Sequence, residues 1–400
     1  MSIIYIRKKF GTTMKWGMGV IAAIFLISAF YMYGGNMMSN TEKGQNLSRE
    51  VAVVGGKPLL RANFDREFAR RVAAYKEQPG GGQFKETDAT AVKAQLLEEI
   101  SDRMILLQEA DRTKIKIGRK DVQKRMGEIR KSFPSDKAFR ERLRALGYDV
   151  NMLRREITEG MRLQALVDKQ KQAVNVSDAD VKKAYKDQYK KEPAGKEFND
   201  KAKEVREQLL RERQSTALAK WMADLRKSAD IQVVDAEIRA YKHLSEGKDD
   251  KALLAFEKAL KQNPYDPYIA SVYYQIGQLY EKKNRLAKAE EAYDRALKRG
   301  SSADLHLALG NIYRKQGKRD AALLQYEDAS DLSYADFLIH YNLSGIYKEM
   351  GMQNKAADEE KLAQEIYGKQ MAQMIQAQQR QQAAQKAEQN SAKAADKEKK

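Results

Sequence analysis

Small and apolar residues recur at a long, regular period in the second half of the chain. Alanines lie at Ala252, Ala289, Ala322 and Ala356, at spacings of 37, 33 and 34 residues. Four positions after this alanine, the first three copies have an aromatic residue: Phe256, Tyr293 and Tyr326. Seven positions after it, all four copies have a second alanine: Ala259, Ala296, Ala329 and Ala363. Self-similarity at this period, with apolar positions at helical spacing, indicates stacked helical units. We therefore predict a mainly α-helical solenoid over residues 236–367.

The repeated pattern resembles the tetratricopeptide repeat, in which a small residue stands where two helices touch and large aromatics fill the gaps. Asn263-Pro264 ends the first copy as in that family, whereas His243 and Glu360 stand where an aromatic residue is usual. Glu360 lies in the last copy, where a polar outer face suits a terminal unit. The resemblance thus covers about three and a half to four repeats.

The resemblance also implies a groove, lined by the first helix of each repeat, that binds peptides or partner proteins. Six side chains would point into it by repeat position: Tyr274, Gln278, Asn311, Arg314, Tyr341 and Lys348. Ordinary solvated helix faces are the alternative interpretation of these positions. A subunit of a translocon or of another membrane complex is the kind of partner that such a groove suggests.

Residues 48–235 have a different pattern, that of a helix-rich domain with a small β element. Val51 to Val54 form a strand-like run, Gly55-Gly56 indicates a turn, and Pro58 restricts the next segment to an edge strand or a turn. Amphipathic helices follow. The stretch "ADIQVV" at residues 229–234 predicts a final strand that pairs with the first one.

Three motifs within this domain occur in the order seen in a known family of folding factors. They read "VAVVGGKPLL" at 51–60, "LLEEISDRMILLQEA" at 96–110 and "VSDADVKKAY" at 176–185. This order resembles the N-terminal chaperone domain of the bacterial SurA/PpiD/PrsA family of extracytoplasmic folding factors, with Gly55 standing where that family usually has Asn. The resemblance implies ATP-independent shielding of unfolded or newly exported polypeptides. Candidate client contacts are Met104, Met126, Phe133, Met152 and Met161, and ordinary core packing is the alternative for each.

In that family a parvulin prolyl isomerase domain usually follows the third motif. Here only a short bridge over residues 186–199 separates it from the next helix, so we expect no isomerase domain and no enzyme. The sequence predicts no catalytic residue, cofactor or metal site. The three histidines, His243, His306 and His340, all lie in the repeat region, and the 34-residue spacing of the last two favours a packing role.

The N-terminal region contains an uncharged stretch of 18 residues, Trp16 to Tyr33. An apolar helix of this length is just long enough to cross a bilayer, and its terminal aromatics suit the interfaces. Arg7, Lys8 and Lys9 precede it, which predicts a cytoplasmic tail over 1–15, an anchor over 16–34 and a linker over 35–47. The bulk of the chain would then be periplasmic. A cleaved signal peptide is the alternative.

Composition narrows the function classes further. The net charge is +18, but the basic residues alternate with acidic ones along the helices, and no nucleic-acid-binding motif is present in the sequence, so no nucleic-acid partner is predicted. The chain has no cysteine, which excludes disulfides and thiolate chemistry. Residues 368–400 are rich in Gln, Ala and Lys and predict a helical extension followed by a disordered tail.

Two functions are consistent with these patterns. The first is a membrane-anchored, extracytoplasmic holdase whose repeats form a second protein-binding surface. The second is a tetratricopeptide scaffold for one membrane complex, without general chaperone activity. The sequence does not decide between them.

Overall fold

The computed structural model describes residues 48–77, 84–145 and 149–397. The predicted tail, anchor and linker over residues 1–47 lie outside these ranges. Within them, no helix combines the length and the apolar character needed to cross a membrane.

A three-stranded sheet and a series of helices form the first part of the described chain. The strands β1 (Glu50–Val54), β2 (Lys57–Leu60) and β3 (Ile231–Val233) are ordered β2-β1-β3, and β1 and β2 are antiparallel. The helices are α1 (Arg61–Glu77), α2 (Ala89–Arg112), α3 (Arg119–Lys131), α4 (Asp136–Ala145), α5 (Val150–Gln172), α6 (Asp178–Tyr189) and α7 (Gly195–Ser228). The predicted first strand, the final strand and the edge position of Pro58 are confirmed. Gly55 and Gly56 make the turn with φ of 54° and 76°, which glycine adopts without strain.

The described chain divides into two compact units that cut across the domain boundaries drawn from the sequence. The first unit contains residues 50–60 and 97–232, and the second contains 61–96 and 233–397. Residues 61–77 and 84–96, which the sequence assigns to the chaperone-like domain, therefore pack with the repeats. The boundaries predicted at residues 48 and 235 remain a sequence-based division.

Two apolar clusters lie among the described residues of the first unit. One joins α3, α4 and α5 through Val122, Ile129, Phe139, Leu143, Leu153 and Ile157. The other joins α6 to the long helix α7 through Val181, Tyr185 and Val205. Ser177 and Asp180 form a capping box at the start of α6. Residues 190–194 connect α6 directly to α7, at the position of the predicted bridge.

The second unit contains four helix pairs in the order that the period predicted. They are α8 (Ala236–Ser245) with α9 (Asp249–Gln262), α10 (Ile269–Lys282) with α11 (Leu286–Leu297), α12 (Ala303–Lys315) with α13 (Arg319–Asp331), and α14 (Phe337–Glu349) with α15 (Gln353–Lys397). The four period-defining alanines, from Ala252 to Ala356, have no exposed surface. Helix α15 continues beyond the last repeat to Lys397.

A glycine–tyrosine contact sets the spacing of the helices in the middle repeats. A Cβ atom added to Gly310 would lie 2.5 Å from the Tyr326 ring, and one added to Gly277 would lie 2.4 Å from the Tyr293 ring. Both tyrosines are fully buried, and the Tyr326 hydroxyl donates to Asn311 Oδ1 at 3.0 Å. The missing Cβ therefore makes room for the ring that the next helix supplies.

The two repeat-equivalent histidines pack between helices, as predicted. His340 Nδ1 lies 2.6 Å from a Glu359 oxygen, and its Nε2 lies 3.0 Å from Ser333 Oγ. This Ser–His–Glu order matches that of a hydrolase triad. Ser333, however, is only 3% exposed, so its hydroxyl cannot reach a substrate. His306 contacts Gln325 at 2.9 Å in the equivalent position.

We expect Gly310→Ala to lower the free energy of unfolding of the second unit by about 2 kcal/mol, because the added methyl group overlaps the Tyr326 ring. The measurement is the urea midpoint followed by circular dichroism. Gly345→Ala in α14 is the matched control, because its added Cβ meets nothing within 4 Å and alanine favours the helix by up to about 1 kcal/mol. Equal effects of the two substitutions would contradict the steric explanation.

Candidate functional site

The first helices of the repeats, α8, α10, α12 and α14, form a surface that we call the first-helix face. Between α12 and α14 it contains an open cavity of about 420 Å³. Three of the six predicted groove residues, Asn311, Arg314 and Tyr341, line this one cavity. The structure thus brings together residues that are up to 30 positions apart in the sequence.

The walls of this cavity combine paired charges with an exposed aromatic ring. Arg314 donates to Glu349 at 2.8 Å, and Lys315 donates to Glu281 at 2.7 Å, so the charged groups are largely neutralised by each other. The Tyr341 side chain is 62% exposed. Asn311 uses its Oδ1 to accept from Tyr326, which leaves its amide N–H groups as donors. An exposed ring beside amide donors suits an extended peptide, which offers side chains and backbone carbonyls together.

The other three predicted groove residues contact groups of the unit itself. Tyr274 packs on Tyr293 with ring centroids 5.8 Å apart, and burial raises the pKa of its hydroxyl. Gln278 hydrogen-bonds to Tyr274. Lys348 donates to Glu360 of α15 at 2.7 Å. None of these three lines the cavity.

A second part of the first-helix face is covered by residues 84–96 of the same unit. The buried Thr90 hydroxyl donates to Glu237 of α8 at 2.8 Å and lies 2.7 Å from Ser271 Oγ of α10. Lys93 donates to Glu237 at 2.8 Å and to Asp266 at 3.0 Å. Lys93 and Glu237 are each 8% exposed. This polar cluster therefore holds the segment against the first two repeats.

The titration of this cluster reflects its burial. Burial raises the pKa of the Glu237 carboxyl to about 7, against the lowering effect of Lys93, and the nearby Asp266 carboxylate adds to the rise. Burial alone would lower the pKa of the Lys93 ammonium, but the carboxylates of Glu237 and Asp266 raise it above its ordinary value. Lys93 is therefore charged at every physiological pH.

At the start of the same segment, Phe84 and Lys85 contact the first-helix face through an aromatic ring and two carboxylates. The Phe84 ring lies 5.6 Å from the Tyr268 ring. Lys85 Nζ lies 3.0 Å from Asp304 and 2.6 Å from Asp336. Burial lowers the pKa of the Lys85 ammonium, but the two carboxylates outweigh that effect and raise it.

Sequence reasoning did not identify these residues as parts of a site. Asp304 lies in the first turn of α12 and Asp336 caps α14, positions at which an acidic residue is explained by the helix dipole alone. Their spacing of 32 residues, one repeat apart, was the available signal. This spacing indicates two carboxylates at equivalent ends of neighbouring first helices. It does not indicate that Lys85 lies between them.

In the first unit, the candidate client contacts are half-buried. Met126, Phe133 and Met161 pack at the edge of the α3–α5 cluster, and Phe133 contacts Phe139 with ring centroids 5.4 Å apart. Met104 and Met152 lie in α2 and α5. Three of the five candidates thus surround one apolar cluster, and each keeps part of its surface exposed.

Comparisons with protein-family models match both halves of the chain. A model described as a SurA-like N-terminal domain matches residues 5–167. A model described as a tetratricopeptide repeat matches residues 239–304 and again 274–336. The chain is a SurA-like domain followed by tetratricopeptide repeats. This combination identifies a protein-binding molecule, either a chaperone or a scaffold.

Individual relatives are similar mainly over part of the chain. Subunit 3 of the anaphase-promoting complex of Schizosaccharomyces pombe is 27% identical over 128 residues, which is 32% of this chain and 19% of the relative. A crystal structure of MamA is 22% identical with a TM-score of 0.30 and covers 33% of this chain and 77% of its own. A chain of the Cut9–Hcn1 hetero-tetramer of the APC/C is 17% identical with a TM-score of 0.30 over 70% of this chain and 60% of its own. These values are too low to carry an activity or partner over to this chain.

We expect Lys93→Ala to lower the free energy of unfolding of the second unit by about 3–5 kcal/mol, because it leaves the buried Glu237 carboxylate and the part-buried Asp266 carboxylate without their cation. The measurement is the urea midpoint at neutral pH. Lys318→Ala is the control, since its pair with Glu290 is half-exposed and contributes at most about 1 kcal/mol. A loss no larger than that of the control would show that the cluster does not hold the segment in place.

Proposed function

We propose that this chain is a membrane-anchored, extracytoplasmic chaperone that holds unfolded or newly exported proteins without ATP. The SurA-like domain would shield apolar client segments, and the first-helix face of the repeats would bind a second stretch of the same client or of a partner. The observation that carries the proposal is the combination of a SurA-like domain with an open cavity on the repeats.

The half-buried methionines at the α3–α5 cluster support the shielding role. Methionine repacks easily around different partners, which suits contact with many sequences. Met126 and Met161 pack against the cluster while keeping part of their surface exposed. Binding there would require only small rearrangements of side chains.

The uncharged N-terminal segment supports the anchoring. Residues 16–34 have the length and the flanking charge of a single-pass anchor, with the repeats then on the periplasmic side. Anchoring two binding surfaces in one chain near the exit site of exported proteins raises their effective concentration for clients. The proposal includes no enzymatic step, and a prolyl isomerase assay on a proline peptide should show no catalysis above background.

The second candidate is a scaffold for one membrane complex, favoured by the pairing of charges within the cavity walls, which suits one fixed partner. Crosslinking in membranes distinguishes the two functions. Many substoichiometric exported proteins would indicate the chaperone, whereas one stoichiometric partner would indicate the scaffold.

We expect the full-length protein in lipid nanodiscs to suppress the light scattering of an aggregating client at a several-fold molar excess. Tyr341→Ala should weaken client binding by about 5- to 30-fold, because an exposed aromatic anchor of this kind contributes about 1–2 kcal/mol. Tyr334→Ala is the matched control, since Tyr334 is 78% exposed but does not line the cavity.

Empty nanodiscs account for any effect of the lipid. No suppression at that excess would contradict the holdase function. If both tyrosine substitutions reduce the suppression equally, the cavity does not take part in client binding.

A further inference from the structure

Phe84 and Lys85 lie side by side at the covered part of the first-helix face, one among aromatic rings and the other between carboxylates. Phe84 is surrounded by three aromatic rings, with centroid distances of 5.6 Å to Tyr268, 5.9 Å to Tyr75 and 6.2 Å to Phe68. Aromatic ring contacts at these distances stabilise a packed ring beyond its apolar area alone. The Tyr268 ring at the start of α10 and the Phe68 and Tyr75 rings of α1 thus form an aromatic pocket in which the half-buried Phe84 lies.

The next residue is recognised by charge. Lys85 Nζ lies between Asp304 of α12 and Asp336 of α14, which come from neighbouring repeats. Charge-assisted hydrogen bonds of this kind are about twice as strong as neutral ones. Asp88 lies close to the same pair, and burial together with the Asp304 charge raises its pKa. Two carboxylates from neighbouring repeats therefore contact one ammonium, and the charge of Asp88 adds to theirs, so this end of the face favours a cation.

The motif and the open cavity lie on the same side of α12. Asp304, Leu307, Asn311 and Arg314 follow at steps of three, four and three residues, which places them along one stripe of the helix. Leu307, Asn311 and Arg314 line the cavity, and Asp304 contacts Lys85. A peptide that entered the acidic end could therefore continue into the cavity.

We propose that the first-helix face binds peptides carrying an aromatic residue directly followed by lysine or arginine, and that Phe84-Lys85 is an internal copy of this motif that occupies the site. The inference rests on the proposed function in one respect, namely that the repeats bind client or partner peptides. A peptide from another chain must displace the internal dipeptide, so its apparent affinity is reduced by the fraction of molecules in which the site is open. The polar cluster at Lys93 keeps the rest of the segment in place when Phe84 and Lys85 leave.

The test measures binding of a fluorescent peptide with the sequence of residues 80–86, GGGQFKE, to the full-length protein in nanodiscs by anisotropy. The double variant Phe84→Ser with Lys85→Ser should bind it at least about tenfold more tightly than the unchanged protein, because no internal motif competes. GGGQFRE should bind in the same way, and GGGQSSE should not. Adding Asp304→Asn and Asp336→Asn to the double variant should abolish the gain.

A double variant that melts at the temperature of the unchanged protein and yet shows no gain would overturn the proposal. Equal binding of GGGQFKE and GGGQSSE would overturn it as well. If the double variant does not fold, Lys85→Ser alone replaces it, since that side chain is already 33% exposed, and a smaller gain with the same dependence on Asp304 is expected. Motif binding without suppression of client aggregation would contradict only the holdase function, and suppression without motif binding would contradict only this inference.

Discussion

The buried ammonium of Lys93 is the interaction on which the arrangement of the second unit depends. It lies between Glu237 of α8 and Asp266 of the loop between α9 and α10, and all three groups are largely removed from water. Buried charges are tolerated only when they are paired with good geometry. Because the two carboxylates belong to the first two repeats, the pairing sets where residues 84–96 lie. The position of Lys93 in turn places Phe84 and Lys85 against Tyr268, Asp304 and Asp336.

This arrangement divides one protein-binding surface into two parts with different chemistry. The covered part offers the Tyr268 ring and the Asp304 and Asp336 carboxylates, and it holds a segment of the chain itself. The open part offers the Tyr341 ring and the Asn311 amide, while Arg314 and Lys315 are paired with glutamates. Under the proposed function, specificity at the open part would depend on shape and hydrogen bonding, whereas the covered part would discriminate by charge. A SurA-like domain in the same chain adds a separate apolar surface at α3–α5.

Much of the fold was predictable because its determinants are local. Ala252 and its three repeat equivalents are completely buried where the period placed them, and Val51 to Val54 form the central strand of the sheet. The candidate groove was predictable only in part. Asn311, Arg314 and Tyr341 meet in one cavity, but Tyr274 turns to Tyr293 and Lys348 to Glu360. The position of a residue in the repeat specifies the side of the helix on which it lies. It does not specify whether a neighbouring side chain binds its polar group.

The sequence by itself determined the helical repeats, the hairpin and the two kinds of domain, because residue spacing acts over one or two helical turns and repeats itself. Only the tertiary structure decided that residues 61–77 and 84–96 pack with the repeats. The contacts that hold them join positions 144 and 219 residues apart, as in Lys93 with Glu237 and Lys85 with Asp304. No periodic pattern in the sequence links such pairs. In the unfolded chain each lysine could pair with many different carboxylates. Each pair forms where two surfaces pack against each other and exclude water, and the packing of the helices determines which surfaces these are.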